Sequence, residues 1–523
     1  MSRPVEQRTQ SRAKLSLVFA LIAILLGSLV PVAAYVFRWP ASDTDAVSFV
    51  VPAINYAQGR GLVSTHWLAA DVTDPTGQRR FTYHGPLFPI ALSWLMPTAD
   101  VQGARFALTA IRVVTVALFG TLLVLLLFKQ SQIPGAIKVL VVAVLVFTVA
   151  GMRMPMIGRP EGFAELLLLV SVATWWLLGK GSAAVVAASC VIGILAAAQP
   201  SVGYLAMTTI IAWISATNGL KTSATLIASC GLTALIAFFA VLWMTPFGVH
   251  DSIQGIINAG IRDKDRLSSL MSDLPRYWLF WWDRTFFGPA FIVALPAFIA
   301  LLVHRSNHNR SLVLIIPALV LLAVGLWQFG IRTGAVNYNI AAFHSLTTLF
   351  LIYASILSLR SLAPLQRTVR QQSVLAVAVS LIVAPSLLVF LKNGVEIHQM
   401  YATGHTFEEA RSRFKQLTRP ADIVLFSGAN WTLLDEFTNA IELSDERSID
   451  EAFKRAKNSG GRVIAVLRIV QPANPRIDPV LSRCEVIPID RFAAGASPKL
   501  FGVAVNKFDS GYSFLAFELR QKS

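Results

Sequence analysis

The chain has 523 residues, of which 55% are hydrophobic and 14% charged, and it carries a formal net charge of +16. A soluble domain is about 25% charged, and a chain this apolar has more hydrophobic surface than one water-facing core can absorb, so lipid is the expected solvent. The basic residues are not gathered into one basic domain, which excludes nucleic acid as a partner, and the three cysteines Cys190, Cys230 and Cys484 make no disulfide framework.

At the N-terminus Arg3, Arg8, Arg12 and Lys14 precede an apolar run at 15–37. The run is too long for the core of a signal peptide and no small-residue cleavage site is evident. It predicts a retained first helix with a cytoplasmic N-terminus. About eleven runs reach the ~17–25 residues that cross hydrocarbon as helix. They are 15–37, 106–128, 136–152, 162–178, 182–198, 201–217, 222–244, 286–303, 311–329, 341–359 and 374–391.

Alternate gaps between the runs are basic. They hold Lys129 and Lys138, then Lys180, Lys221, Arg305 with Arg310, and Arg360 with Arg367 and Arg370. That is the pattern expected of cytoplasmic gaps. An odd number of spans then puts the C-terminal tail outside, which in a bacterium is the periplasm. Short loops and compact size suggest a bacterial inner membrane. Two outside segments, 38–105 and 245–285, are too long for connectors, and long ordered loops carry function. The first contains VSFVVPAINYAQ, an amphipathic stretch expected to lie flat at the interface.

Composition changes near residue 400. Residues 400–523 hold 17 Lys+Arg and 15 Asp+Glu, against 45 and 29 in the whole chain. The division is a membrane domain at 1–399 and a small soluble α/β domain at 400–523. TFEEARSRFKQL predicts a helix with Thr406 and Glu409 in capping-box spacing. DIVLFSG, GRVIAVLRIV and SFLAFEL predict strands, and SIDEAFKRAKNSGG a helix ended by glycine. The fold class is therefore an α-helical polytopic membrane protein with a C-terminal α/β domain.

Five constellations carry candidate chemistry. Asp43-Thr44-Asp45 follows the first helix. A carboxylate beside a hydroxyl acceptor can act as general base, while the plainer reading is a solvated helix end. Tyr83-His84-Gly85-Pro86-Leu87-Phe88-Pro89 joins a stiff backbone to polar edges, or serves as an interfacial aromatic belt. Arg153 and Arg159-Pro160-Glu161 lie between two short spans, with Glu165 one turn further on. Charges beside hydrocarbon face protein or a water-filled cavity. Arg159 and Glu161 form either an ion pair or part of a substrate site, and Glu165 is a partner for Arg153 or Arg159. Arg332, Tyr338 and His344 enter a later span from outside, where a guanidinium suits a lipid phosphate or anchors to headgroups. His250, Asp251 and the run 262–266 are read as a solvated face, and the aromatic run 277–284 as an interfacial belt or a sugar platform. No P-loop, no glycine fingerprint after a strand, no H-E-x-x-H and no C-x-x-C is present, so ATP-driven transport, nicotinamide chemistry and zinc hydrolysis have no support.

Together these features resemble the GT-C superfamily of integral membrane glycosyltransferases, in particular the type that uses dolichyl- or polyprenyl-phosphate sugars. Its aminoarabinose, arabinofuranosyl and protein mannosyl transferases are the relatives in view. Asp45-Ala46-Val47-Ser48-Phe49 through Ala57-Gln58-Gly59-Arg60-Gly61-Leu62-Val63 is similar to the superfamily's run of acid, aromatic and small residue before G-x-G, and it favours Asp45 over Asp43 as the family acid. Tyr83 to Pro89 resembles its YH-x-P-L-x-P segment, with Gly85 where a second proline is common. Gly158-Arg159-Pro160-Glu161 is similar to the polar loop after the third helix in relatives. The likeness is strong over residues 1–165 and architectural beyond. The adjacent Asp-Glu pair of protein mannosyltransferases is interrupted by Thr44, which disfavours a protein acceptor.

The resemblance implies an inverting transferase that takes a sugar from polyprenyl phosphate in the outer leaflet. It implies Asp45 as general base, Asp43 on sugar hydroxyls or a cation, and Tyr83 and His84 shaping the pocket. Arg332, then Arg153 and Arg159, would face the leaving phosphate. No cofactor is required, and a divalent cation is possible. The acceptor is a glycan, glycolipid or protein. The alternative is a transporter or flippase of a lipid-linked glycan, with the buried Arg, Glu and His lining its path.

Overall fold

A computed structural model of the protein describes residues 3–36, 44–63, 66–67, 85–130, 133–152, 159–179, 181–200, 202–203, 206–207, 220–246, 248–261, 345–346, 348–349, 352, 412–427, 440–443, 446–469, 481–493, 499–500, 503–504 and 513–522. Six expected runs fold as helices: α1 (Arg3–Val36), α4 (Val101–Phe128), α5 (Gly135–Met152), α6 (Pro160–Leu178), α7 (Ser182–Ala198) and α8 (Leu220–Trp243). The first long loop adds α2 (Thr44–Ala57), β1 (His66–Trp67) and α3 (Leu87–Leu95), and α9 (Gly248–Ile261) follows α8.

Among the described residues four helices are long and apolar enough to cross a membrane, at Ala13–Ala33, Val101–Phe128, Pro160–Leu178 and Ala224–Trp243. The apolar helices Gly135–Gly151 and Ser182–Ala198 are shorter. The runs expected at 286–303, 311–329 and 374–391 lie outside the described residues, as do most of 201–217 and 341–359.

Small residues set the helix spacing, as they do where lipid removes the hydrophobic drive between helices. A Cβ on Gly193 of α7 would lie 2.2 Å from the carbonyl oxygen of Ala234 in α8. One on Gly27 of α1 would lie 2.4 Å from Val146 of α5. Ser16 meets Gly135, and Ile24 meets Gly120, so α1 runs parallel to α5 and antiparallel to α4. Leu25, Leu29 and Val36 on α1, with Leu235, Ile236 and Trp243 on α8, turn outward where lipid replaces water.

The bundle has two unlike ends. At one, Lys129 caps α4 and lies 5.1 Å from the Trp176 ring of α6, while Lys138 lies 5.1 Å from Phe128. The other end holds α2, α3 and the start of α6. There Asp100 caps α4 by accepting from the Gly103 N–H at 2.7 Å.

The C-terminal region forms a mixed sheet. Its strands are β2 (Ile423–Ser427), β3 (Ala440–Glu442), β4 (Val463–Ile469), β5 (Cys484–Ala493) and β8 (Ser513–Gln521), with helix α10 (Glu446–Ser459) before β4. A separate two-stranded ladder joins β6 (Lys499–Leu500) and β7 (Val503–Ala504). The large sheet has six strands in the order β1-β3-β2-β4-β8-β5. Alternation sorts its side chains onto two apolar faces. Ile423, Leu425, Ile441, Val463 and Ala465 pack with Ile449 and Ala452 of α10. Val424, Phe426, Ala440, Ile464 and Val466 belong instead to one continuous core with Phe49, Ile54, Leu62 and Phe88.

One expectation changes here. The stretch expected to lie flat at the interface, now α2, is buried from Phe49 to Asn55 rather than exposed on one side. It shares its core with the tail's sheet, so its outer side meets protein instead of headgroups. The edge strand β1 comes from the first loop and pairs in parallel with β3, His66 opposite Ala440 and Trp67 opposite Ile441. The first loop and the tail therefore meet in one sheet.

Candidate active site

The described parts of three sequence constellations reach the same end of the bundle. Asp45 is the second residue of α2. One turn on, Phe49 packs edge-to-face on Phe88 of α3 with ring centroids 5.8 Å apart. Phe88 in turn stacks at a tilt on Phe163 of α6, 5.9 Å away. Both Phe49 and Phe88 are 1% exposed, so this aromatic chain fixes α2 and α3 against the start of α6.

Gly85 makes the approach possible. A Cβ there would lie 2.2 Å from the Ala197 carbonyl oxygen and 2.8 Å from that of Ala198, at the end of α7. Helix α3 then starts after Pro86, whose fixed φ suits a first turn.

Helix α6 opens on charge. Arg159 is its N-cap with extended backbone, Pro160 follows where no N–H is needed, and Glu161 lies at the positive end of the helix dipole. Arg159 Nε donates to Glu161 Oε2 at 3.2 Å, and its Nη2 to Oε1 at 3.4 Å. Gln199, the C-cap of α7, donates its Nε2 to Glu161 Oε1 at 3.3 Å. All three side chains are buried. Arg159 and Glu161 are thus an ion pair, with Gln199 as a third member.

A second tier lies one turn deeper. Glu165 Oε2 accepts from Arg112 Nη1 of α4 at 2.6 Å. Arg112 Nη2 also donates to the Val149 carbonyl of α5, and the Ser345 hydroxyl donates to Glu165 Oε1. Arg112 is a partner the sequence reading did not point to. The two tiers tie α6 to α4, α5, α7 and the segment at 345, and each buried carboxylate has its counter-charge.

The backbone after α2 is equally fixed. Asn55, 1% exposed, donates to the Val63 carbonyl at 2.6 Å. Its Oδ1 accepts from Arg60 Nε at 2.9 Å and also from Arg60 Nη2. Gly59 and Gly61 hold φ of 74° and 84°, which is why glycine stands at both places. Gln58 Nε2 donates to the Ala99 carbonyl at 2.6 Å and links this turn to the start of α4.

Of the site residues read from sequence, Arg159 and Glu161 are brought together, and Asp45 is placed by its backbone on α2. Asp43, Tyr83, His84, Arg153, Arg332, Tyr338 and His344 lie outside the described residues. Ser345, next to His344, reaches Glu165. The residues missed were Asn55, Arg112, Gln199 and Ser345. Arg112 carried a usable signal, a lone charge inside the apolar run 106–128. Among the described residues no three His, Cys, Asp or Glu side chains group as a cation site.

The fold and this cluster define an integral membrane protein with paired charges gathered at one end of a helical bundle, under a sheet that the first loop completes. No protein-family model matches the chain, and no curated protein matches it in sequence. Its structure is similar to that of ArnT from Cupriavidus metallidurans bound to undecaprenyl phosphate, with TM-score 0.50 and 12% identity over 95% of this chain and 97% of that one. It also matches the Archaeoglobus fulgidus oligosaccharyltransferase in complex with Zn and sulfate, with TM-score 0.44 and 11% identity over 85% of this chain and 68% of that one. AglB of the same organism, in complex with an inhibitory peptide and a dolichol-phosphate, gives TM-score 0.46 and 11% identity over 86% and 69%. The present chain shares the fold of that ArnT, a GT-C glycosyltransferase.

Proposed function

We propose that the protein is a glycosyltransferase that moves a sugar from a polyprenyl-phosphate donor to a cell-envelope acceptor. The reaction takes place at the outer face of a bacterial cytoplasmic membrane, with the N-terminus cytoplasmic and the tail periplasmic. The observation that carries this reading is the convergence of α2 with Asp45, the Gly85–Phe88 turn and the Arg159–Glu161–Gln199 cluster at one end of a GT-C fold. The lipid phosphate in the ArnT structure supports the donor class.

In this reading Asp45 takes the proton of an acceptor hydroxyl as its oxygen attacks the anomeric carbon. The bond from that carbon to the phosphate oxygen breaks, polyprenyl phosphate leaves with the electron pair, and the anomeric centre inverts. Charge growing on the phosphate needs cations fixed in advance. Arg332 and Arg153 are the first candidates, because Arg159 already directs two nitrogens at Glu161. Tyr83, His84, Tyr338 and His344 shape the sugar and lipid pockets, and Asp43 binds sugar hydroxyls. A divalent cation at Asp43 and Asp45 is compatible with this chemistry and not demanded by it.

The test is release of polyprenyl phosphate from hexosyl and pentosyl undecaprenyl phosphates in proteoliposomes. Asp45→Asn keeps the fold and donor binding while turnover falls by about 10²–10⁴-fold, the contribution of a positioned base. Wild-type turnover in that variant would remove Asp45 from the mechanism.

A further inference from the structure

Helix α2 has 14 residues, with Pro52 inside it. A helix of that length is marginal on its own and takes its stability from packing. Two attachments hold it at its C-terminal side. One is the turn locked by Asn55, Arg60 and Val63. The other is β1, three residues past Val63, which the tail's β3 accepts as an edge strand. The outward face of the same sheet, through Val424 and Phe426, joins the core that contains Phe49 and Ile54.

We propose that the tail is a positioning element of the active site: by pairing β3 with β1, and through the Asn55-locked turn, it sets the placement of α2 and hence of Asp45. This rests on the glycosyltransferase reading for its consequence in turnover, and on pairing and packing alone for its consequence in order. His66 and Trp67 act through the backbone. Their effect is large because reacting groups must be held closely: a misplacement of about 1 Å can lower a rate by about 10²-fold.

Four measurements on the full-length protein in proteoliposomes decide it. In the double variant His66→Pro/Trp67→Pro, proline removes both strand N–H donors. The amides of residues 45–57 are then expected to lose about tenfold or more of their exchange protection, as a locally released element does. Binding of undecaprenyl phosphate stays within about twofold, and turnover falls by about 10²-fold. Wild-type protection of α2, or lost protection with wild-type turnover, overturns the proposal.

The fourth measurement covers the case in which the proline variant fails to fold. Cysteines placed at His66 and Ala440, with the native Cys190, Cys230 and Cys484 replaced by alanine, are expected to join on oxidation. Paired strands bring Cα atoms within disulfide range, and a control pair at His66 and Gln521 stays reduced. Absence of the first bond overturns the proposal. If the wild type transfers no sugar from any donor, the function reading fails, while exchange and cross-linking still decide the junction.

Discussion

A charge near hydrocarbon persists where a counter-charge and hydrogen bonds meet it, and α6 shows this twice, at Glu161 and at Glu165. The pair Arg159–Glu161 was legible because the two residues are near neighbours. The Arg112–Glu165 pair was not, because 53 positions separate its members and helix packing alone brings them together. The same holds outside the membrane for Asp422, whose partner Arg462 is 40 positions away. Burial alone would raise this carboxyl. The Arg462 guanidinium, with its charge, and the backbone N–H groups of Arg462 and Arg419 outweigh burial and hold it below its ordinary value. A carboxyl depressed in the folded state adds stability that is complete above its unfolded pKa of about 4 and is lost as pH falls through the lower folded value. Asp422→Asn is therefore expected to destabilise the sheet by about 1–3 kcal/mol near pH 7, with the gap from wild type closing in acid. Exchange rates of β2 and β4 amides at a series of pH values check this. A gap that stays constant down to acid pH would mean the carboxylate charge is not what holds the loop.

At the scale of elements, long apolar runs announced α4 to α8 within a few residues and the C-terminal end of α1, which begins earlier at Arg3, and β2, β4, β8 and α10 were legible from alternation, apolar runs and a terminal glycine. Strands β1 and β3 were not, since two or three residues carry no period and owe their existence to the partner they meet. The departure of Gly85 from the family pattern also finds its reason here. The end of α7 comes so close that any side chain would strike the carbonyls of Ala197 and Ala198. Gly85→Ala should force α3 and α7 apart, and overpacking of this kind costs about 1–3 kcal/mol. The expected result is a lower thermal midpoint in detergent, together with reduced transferase turnover, because Phe88 carries the displacement to Phe49 and α2. Gly162→Ala is the matched control, since nothing lies within 4 Å of a Cβ built there. Equal midpoints for the two variants would show that Gly85 is not the close-packed joint of the site.

For the whole molecule, the sheet decides a question that hydropathy left to counting. Lengths near the lower limit leave the number of spans open, yet β1 and β3 must meet, so residues 66–67 and 440–442 share one side whatever that number is. Ala13–Ala33 of α1 is long and apolar enough to cross, and in the proposed orientation its crossing puts the N-terminal segment on the opposite side. Basic residues Lys129 and Lys138 mark the far end of the bundle from Gly85 and Arg159, and basic ends stay cytoplasmic. In the proposed orientation the site and the tail face outward together. This is testable in intact cells with an impermeant thiol reagent on a chain freed of Cys190, Cys230 and Cys484. Single cysteines at the exposed positions Ala57 and Lys457 are expected to label from outside, and one at Ser11 only after the membrane is opened. Labelling of Ala57 and Lys457 from opposite sides would break the strand pairing on which the joint placement of site and tail depends. Labelling of both from inside would keep the pairing and reverse the orientation, moving the chemistry to the leaflet where nucleotide sugars are available.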